Sequence, residues 1–192
     1  MIKKNDNQPR IIYPENNKKY WNRNSIFNWL KNNCINNNYL IGIDFSFSYP
    51  YYDYKSYFPN LKHSPKSANF LWELIDKINH DEYNFYGGNI WYTQPYCEYF
   101  NSPFKKGINF KSRERITEIF AKKICYPSSS FNCVGPGAVG TGTLSGMRIL
   151  NSLKGILNIW PFKKLEITKP TLVEIFPTYY FRIHKIKPEK NI

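Results

Sequence analysis

Two acidic residues lie inside otherwise apolar segments of this 192-residue chain. Asp44 interrupts the run at 39–47 (YLIGIDFSF), and Glu174 interrupts the run at 171–176 (TLVEIF). Both runs are rich in β-branched and aromatic residues, which is typical of parallel strands that are buried on both faces. An ionised carboxylate in such a strand must be paired, hydrogen-bonded or bound to a metal. The two acids are therefore the first candidates for chemistry, either as a shared cation site or as hydrogen-bonded core acids.

A glycine-rich segment at 134–146 (VGPGAVGTGTLSG) is the second candidate. It contains the G-x-G-x-x-G spacing of dinucleotide-binding loops. Such a loop also needs a strand before it and an acidic residue about 20 positions later, whereas the first acid downstream here is Glu166. A turn of this kind at the start of a helix can still bind an anion through backbone N–H groups. We predict an anion site there, or else a turn that needs glycine for positive φ; its residues are Gly140, Thr141 and Gly142.

The elements that carry these residues follow from the periodicity of apolar side chains. Helices are predicted over 24–33, 67–78 and 112–124, and a fourth follows the glycine-rich segment. Asn24 or Ser25 is expected to cap the first helix and Ser67 the second. The stripes predicted to face inward are Phe70, Leu71, Leu74, Ile75 and Ile78 in the second helix and Ile116, Ile119, Phe120 and Ile124 in the third. Helices alternating with strands predict an α/β domain.

Charge and cysteine content narrow the classes of partner. Lysine and arginine number 27 against 14 acidic residues, for a net charge of +13. This excess predicts a nucleic-acid partner or, alternatively, a solvated lysine-rich surface. The four cysteines form no Cys-x-x-Cys pair and no signal peptide or membrane-spanning segment is seen, so free thiols and a cytoplasmic location without membrane association are expected.

Five motifs together resemble an uncharacterised bacterial family of predicted nucleases with an RNase H-like fold. The most specific is the glycine-rich segment, and the order of the five along the chain also matches. The resemblance covers about residues 20 to 182. The motifs are 40–50 (LIGIDFSFSYP), 115–118 (RITE), 134–147 (VGPGAVGTGTLSGM), 159–162 (IWPF) and 173–177 (VEIFP).

The resemblance implies an RNase H-like mixed sheet flanked by helices, and an activity of metal-dependent phosphodiester hydrolysis. On this interpretation Asp44 lies on the fourth strand and Glu174 on the fifth, and both ligate Mg²⁺ or Mn²⁺, with two ions in most such sites. Glu118 is implied as a supporting catalytic acid and Arg115 as a phosphate contact. The turn at 140–142 would then face an anionic group.

The resemblance also implies opening strands before residue 24, with an aspartate of their own. Residues 1–22 are polar, so we expect an RNase H-like domain at 23–182 that is truncated at its N-terminus and followed by a basic tail at 183–192. The strand at 39–47 would then be an open sheet edge that invites a strand-pairing partner or self-association. The alternative function is a degenerate, non-catalytic scaffold that binds a protein or nucleic-acid partner.

Overall fold

The computed structural model describes residues 12–14, 20–34 and 37–186. This part of the chain contains five helices and a three-stranded sheet, which confirms the predicted α/β class. The longer loops contain three short 3-10 turns. The elements are α1 (Arg23–Cys34), β1 (Leu40–Ile43), α2 (Ala68–Ile78), α3 (Ile116–Ala121), α4 (Gly140–Leu153), β2 (Asn158–Trp160), β3 (Thr171–Glu174) and α5 (Pro177–Ile183).

The three strands form one parallel sheet in the order β1–β3–β2. Ile43 lies opposite Glu174, and Ile159 lies opposite Leu172. The antiparallel part that a mixed sheet requires is not found in the part of the chain that the structure describes, so the RNase H-like topology stays a prediction. The sequence analysis did not recognise β2 as a strand, because three residues are too few to show a period.

Both predicted strands are shorter than expected, because β1 ends at Ile43 and β3 at Glu174. Beyond β1, Phe47 bonds outside the sheet ladder: its amide donates to the Glu174 side chain at 2.9 Å and its carbonyl accepts from Trp72 Nε1 at 2.7 Å. Burial on both faces was also wrong for β1. Leu40 is 76% exposed, and its neighbours along the strand are at most half-buried.

The core lies mainly between α2 and α4. Ser67 caps α2 as predicted, by accepting from the Phe70 amide, but Phe70 itself is exposed and Trp72 is fully buried in its place. The cap of α1 is Asn22 rather than Asn24 or Ser25, because the Asn22 side chain accepts from the Ser25 amide at 2.8 Å. The side chains of α4 that enter the core include Leu144, Met147, Leu150 and Leu153.

The largest error of orientation concerns α3. Its predicted inward face, Ile116, Ile119 and Phe120, is 45%, 55% and 63% exposed. The helix instead turns Glu118 and Ala121 inward, because Glu118 pairs with Arg115 at the helix start. A buried ion pair therefore sets the rotation of α3, and periodicity alone could not reveal it.

The four cysteines are all buried, and no disulfide bond joins them. Among residues 12–14, 20–34 and 37–186, no helix has both the length and the apolar content needed to cross a bilayer.

Candidate functional site

Asp44 and Glu174 lie at the same end of two adjacent strands. Glu174 is the last residue of β3, and Asp44 directly follows Ile43, the residue of β1 that pairs with Glu174. The carboxyl ends of parallel strands are where open α/β sheets bind ligands. The structure therefore brings together two acids that are 130 positions apart in the chain, as the sequence analysis predicted.

Glu174 is held by Arg115 through both carboxylate oxygens. Arg115 Nη1 donates to Glu174 Oε2 at 2.7 Å, and Nη2 donates to Oε1 at 2.6 Å. Oε2 also accepts from the Phe47 amide, so it has two donors, whereas Oε1 has one. Two parallel hydrogen bonds between a guanidinium and a carboxylate hold the Glu174 side chain in one orientation and also neutralise its charge.

Glu118 supports the same guanidinium from the other side. Its Oε2 accepts from the Arg115 backbone amide at 2.7 Å, and its Oε1 accepts from Arg115 Nε at 3.0 Å. Glu118 is 6% exposed, so it does not reach solvent as a free carboxylate. The structure therefore shows it as the partner of Arg115, and its expected role as a supporting catalytic acid stays a prediction.

Asp44 is the unengaged member of the cluster. It is exposed, and no hydrogen bond or ion pair to its carboxylate is formed by the described residues. Arg115 supplies one positive charge to three acids, so the cluster carries an excess of two negative charges when all three are ionised. A cation would relieve that excess.

The pKa shifts follow the same arrangement. Asp44 is exposed but partly desolvated by its neighbours, which raises its pKa, and the negative charge of Glu174 raises it further. Burial also raises the pKa of Glu118, although Arg115 offsets part of the effect. Burial lowers the pKa of Arg115, but hydrogen bonds and charges from Glu174 and Glu118 outweigh it and leave that pKa raised. Arg115 is therefore a permanent cation of the site.

The turn at 140–142 is not joined to this cluster. It forms the first turn of α4, where the Gly140 amide donates to the Asn132 carbonyl and Gly140 lies against the Cys133 thiol. Burial raises the pKa of that thiol to about 12. No hydrogen bond between this turn and Asp44, Glu118 or Glu174 is found among the described residues. An anion could use only the remaining amides, and that site stays a prediction.

The structure does not support a dinucleotide-binding loop in the glycine-rich segment at 134–146. The segment before α4 forms no strand; Asn132 makes only an isolated bridge to Asn101. The glycine-rich segment is thus a loop-to-helix turn, with positive φ at Gly135 and Gly137. A dinucleotide-binding loop directly follows a strand of the sheet, and the described residues before this loop form no such strand.

Comparison with protein-family models, with curated proteins and with solved structures finds no match to this chain. Within the residues that the structure describes, no group of three or more histidine, cysteine or acidic side chains is arranged to hold a metal ion. A single ion held by two carboxylates and water needs fewer protein ligands.

Sequence reasoning missed Arg113, which is 7% exposed and organises the loop after β1. Its Nε and Nη2 bind both oxygens of Asp53 at 2.8 and 2.6 Å. Its guanidinium also donates to the backbone carbonyls of Pro50, Ser56 and Tyr57. The available signal was the alternation of basic residues at 111, 113 and 115, which predicts neighbouring roles for these side chains.

Proposed function

We propose that the chain hydrolyses phosphodiesters with the help of one divalent cation, Mg²⁺ or Mn²⁺, at Asp44 and Glu174. The observation that carries the proposal is the unengaged carboxylate of Asp44 beside Glu174 at the carboxyl end of the sheet. The net charge of +13 favours nucleic acid as the source of the phosphodiester.

The donor atoms fit one hydrated cation. Both oxygens of Asp44 are without hydrogen-bond donors among the described residues, and Glu174 Oε1 accepts a single bond, from Arg115. A carboxylate oxygen has two lone pairs, so Oε1 keeps one. Mg²⁺ commonly binds one or two carboxylates and completes its octahedron with waters and substrate oxygens.

Three residues would bind the phosphate or hold the site in place. Arg115 Nη1 carries two hydrogens and makes one bond, to Glu174, so its second N–H can donate to a phosphate oxygen. Glu118 holds that guanidinium in place, and Glu174 keeps its own orientation through the Phe47 amide. When bound, a divalent cation supplies Lewis-acid stabilisation and a more acidic water.

The test is metal binding and cleavage of a small diester. We expect Mn²⁺ binding, measured by calorimetry, to weaken at least about 10-fold in Asp44→Asn, and hydrolysis of bis(4-nitrophenyl) phosphate to be lost. Asp81→Asn is the matched control, because Asp81 is an exposed aspartate whose partner is His80. Equal Mn²⁺ affinity in the two variants, or no Mn²⁺-dependent hydrolysis by the wild type, would overturn the proposal.

A second candidate is a non-catalytic scaffold that binds a partner by strand pairing, and the edge of β1 favours it. The carbonyls of Tyr39 and Ile43 point towards β3, where they accept from the amides of Thr171 and Ile175. Backbone groups alternate in direction along a strand, so those of Leu40 and Gly42 point away from β3. The exposed Leu40 adds apolar surface to this edge.

Self-association is the form of this candidate that one purified protein can show. Strand pairing predicts a concentration-dependent dimer in sedimentation equilibrium, and Leu40→Lys should abolish it because an edge lysine opposes pairing. Lysine at the equally exposed Tyr83, outside the sheet, is the control. A monomer at all concentrations, or a dimer that Leu40→Lys leaves intact, argues against self-pairing at β1.

A further inference from the structure

A cavity of about 110 Å³ lies between the loop after β1 and the segment before α3. The rings of Tyr99 and Phe131, both buried, form part of its lining, and Tyr54, 46% exposed, forms another part. Two exposed amides and one exposed ammonium group also line it: Asn60, Asn109 and Lys111. The cavity thus combines aromatic faces, amide donors and acceptors, and a positive charge.

The ring of Tyr54 is held in position by two basic side chains. Lys111 Nζ donates to the Tyr54 hydroxyl at 3.0 Å, and the Arg113 guanidinium carbon lies 5.1 Å from the ring centroid. Arg113 also fixes the loop through Asp53 and three backbone carbonyls. A ring that is ordered before binding loses little conformational entropy when a ligand stacks on it.

We propose that this cavity holds one unpaired base of a single-stranded nucleic acid. Aromatic side chains stack on any base, and amide side chains can hydrogen-bond the exposed edge of a base that is not in a duplex. Lys111 is placed to contact the adjoining phosphate. The volume is well below the roughly 300 Å³ of the smallest pockets for drug-sized molecules, which suits one ring system rather than a whole cofactor.

The inference rests on the proposed function, because it names the substrate of the same site. Arg113 lines the cavity and Arg115 holds Glu174, and the Cα atoms of residues two apart are at most about 7 Å from each other. On this proposal the phosphodiester next to a base in the cavity would approach Arg115, two residues from Arg113. The cavity would bind an unpaired base of a single strand, and the acid cluster would act on the phosphodiester backbone of that strand.

The experiment measures binding of a labelled 12-nucleotide single strand and of its duplex by fluorescence anisotropy, with EDTA present. We expect the single strand to bind more tightly, and Tyr54→Ala to weaken it about 5- to 150-fold, the usual effect of removing one stacking ring. Tyr54→Phe should bind as the wild type does. Tyr52→Ala is the matched control, because Tyr52 is an exposed tyrosine in the same loop that does not line the cavity.

Salt dependence separates stacking from charge. Lys111→Gln should lower the slope of log K against log salt by about 0.7, the value for one contact with a single-stranded phosphate. Tyr54→Ala should leave that slope unchanged. Equal affinity for single strand and duplex, or equal losses in Tyr54→Ala and Tyr52→Ala, would overturn the inference.

Competition identifies the source of the base. A nucleoside monophosphate should compete at least 10-fold less well than the oligonucleotide, because it lacks the neighbouring phosphates. If it competes equally, the cavity serves a free nucleotide and the inference is wrong. Binding is measured without metal or turnover, so loss of diester hydrolysis in Asp44→Asn leaves this test intact, and failure here leaves hydrolysis of the small diester intact.

Discussion

Arg115 binds Glu174 through two parallel hydrogen bonds of 2.7 and 2.6 Å, and this pair determines what the acid cluster can do. The bonds occupy one oxygen of Glu174 partly and the other fully, since the Phe47 amide adds a second donor to Oε2. The pair therefore leaves Asp44 as the one unengaged carboxylate of the cluster. It also ties β3 to the start of α3, and no backbone hydrogen bond among the described residues joins these two elements.

Removing Arg115 should be costly. Arg115→Ala leaves Glu118 buried without its partner, and breaking a buried ion pair in this way costs about 3–5 kcal/mol. Arg115→Lys should also destabilise, because an ammonium cannot reproduce the paired fork. Urea unfolding gives the free energy of unfolding. Lys122→Ala is the control: Lys122 pairs with Glu114 while 45% exposed, and loss of such a pair costs about 0–1 kcal/mol.

The difference in free energy of unfolding between the wild type and Asp44→Asn should depend on pH. The pKa of Asp44 is raised above its ordinary 3.8, so the folded state holds this proton more tightly than the unfolded state. The resulting contribution is present below pH 3.8 and is lost as pH rises through the folded pKa. We expect Asp44→Asn to match or exceed the wild type in free energy of unfolding at pH 7. A lower value at pH 7 would show that the ionised carboxylate stabilises the fold.

Asp53 should show the opposite sign. Its hydrogen bond to Arg113 lowers its pKa below 3.8, despite partial burial. Its contribution is present above pH 3.8 and is lost as pH falls through the lowered pKa. Asp53→Asn should therefore be less stable than the wild type at pH 7, with the difference shrinking towards pH 2. Unfolding in urea at several pH values checks both variants, and a difference that does not change with pH would contradict the assignment.

The sequence predicted the pairing of Asp44 with Glu174 because each acid stands out in an apolar run. It could not predict how the cluster is neutralised. Arg115 is one of 27 basic residues, and the resemblance implied that it contacts phosphate rather than that it pairs with Glu174. Its partner Glu118 lies on a helix whose apolar residues suggested the opposite face, which is why the predicted inward face of α3 was wrong.

Similar tertiary pairing explains other differences. Asp76 and Arg148 lie on facing helices and bond at 2.9 Å, although each can be taken for a surface charge when α2 or α4 is viewed alone. The α2 stripe misassigned Phe70 because Trp72 follows the same periodicity nearly as well and reaches the Phe47 carbonyl. Periodicity indicates that a helix has a buried face. In α2 and α4, hydrogen bonds to distant residues help to determine which side chains lie on that face.

Arg113 should be essential to the loop after β1. Arg113→Lys keeps the charge but loses the fork that joins Asp53 to three backbone carbonyls, so we expect a loss of about 2 kcal/mol or more in the free energy of unfolding. The loop at 50–60 should also become more susceptible to proteolysis. Arg182→Lys is the control, because Arg182 is exposed and makes one bond, to the Ile124 carbonyl. Its effect should stay within about 0.5 kcal/mol.

Two glycines in α4 should respond oppositely to alanine. A Cβ at Gly142 meets open space, so Gly142→Ala should stabilise the helix by up to about 1 kcal/mol. A Cβ at Gly146 would overlap the ring of Phe45, and overpacking of this kind costs about 1–3 kcal/mol. Chemical denaturation of both variants measures the contrast, which would disappear if α4 did not lie against the residue that follows Asp44.

The overlap can be tested through the ring itself. If Gly146→Ala is destabilising because of Phe45, then Phe45→Leu should relieve part of the cost. The double variant should then be more stable than the sum of the single effects predicts, with a coupling of about 0.5 kcal/mol or more. The same cycle with Gly142→Ala should be additive, because nothing lies within 4 Å of a Cβ at that position. Additivity in both cycles would mean that α4 does not pack on the chain next to the acid cluster.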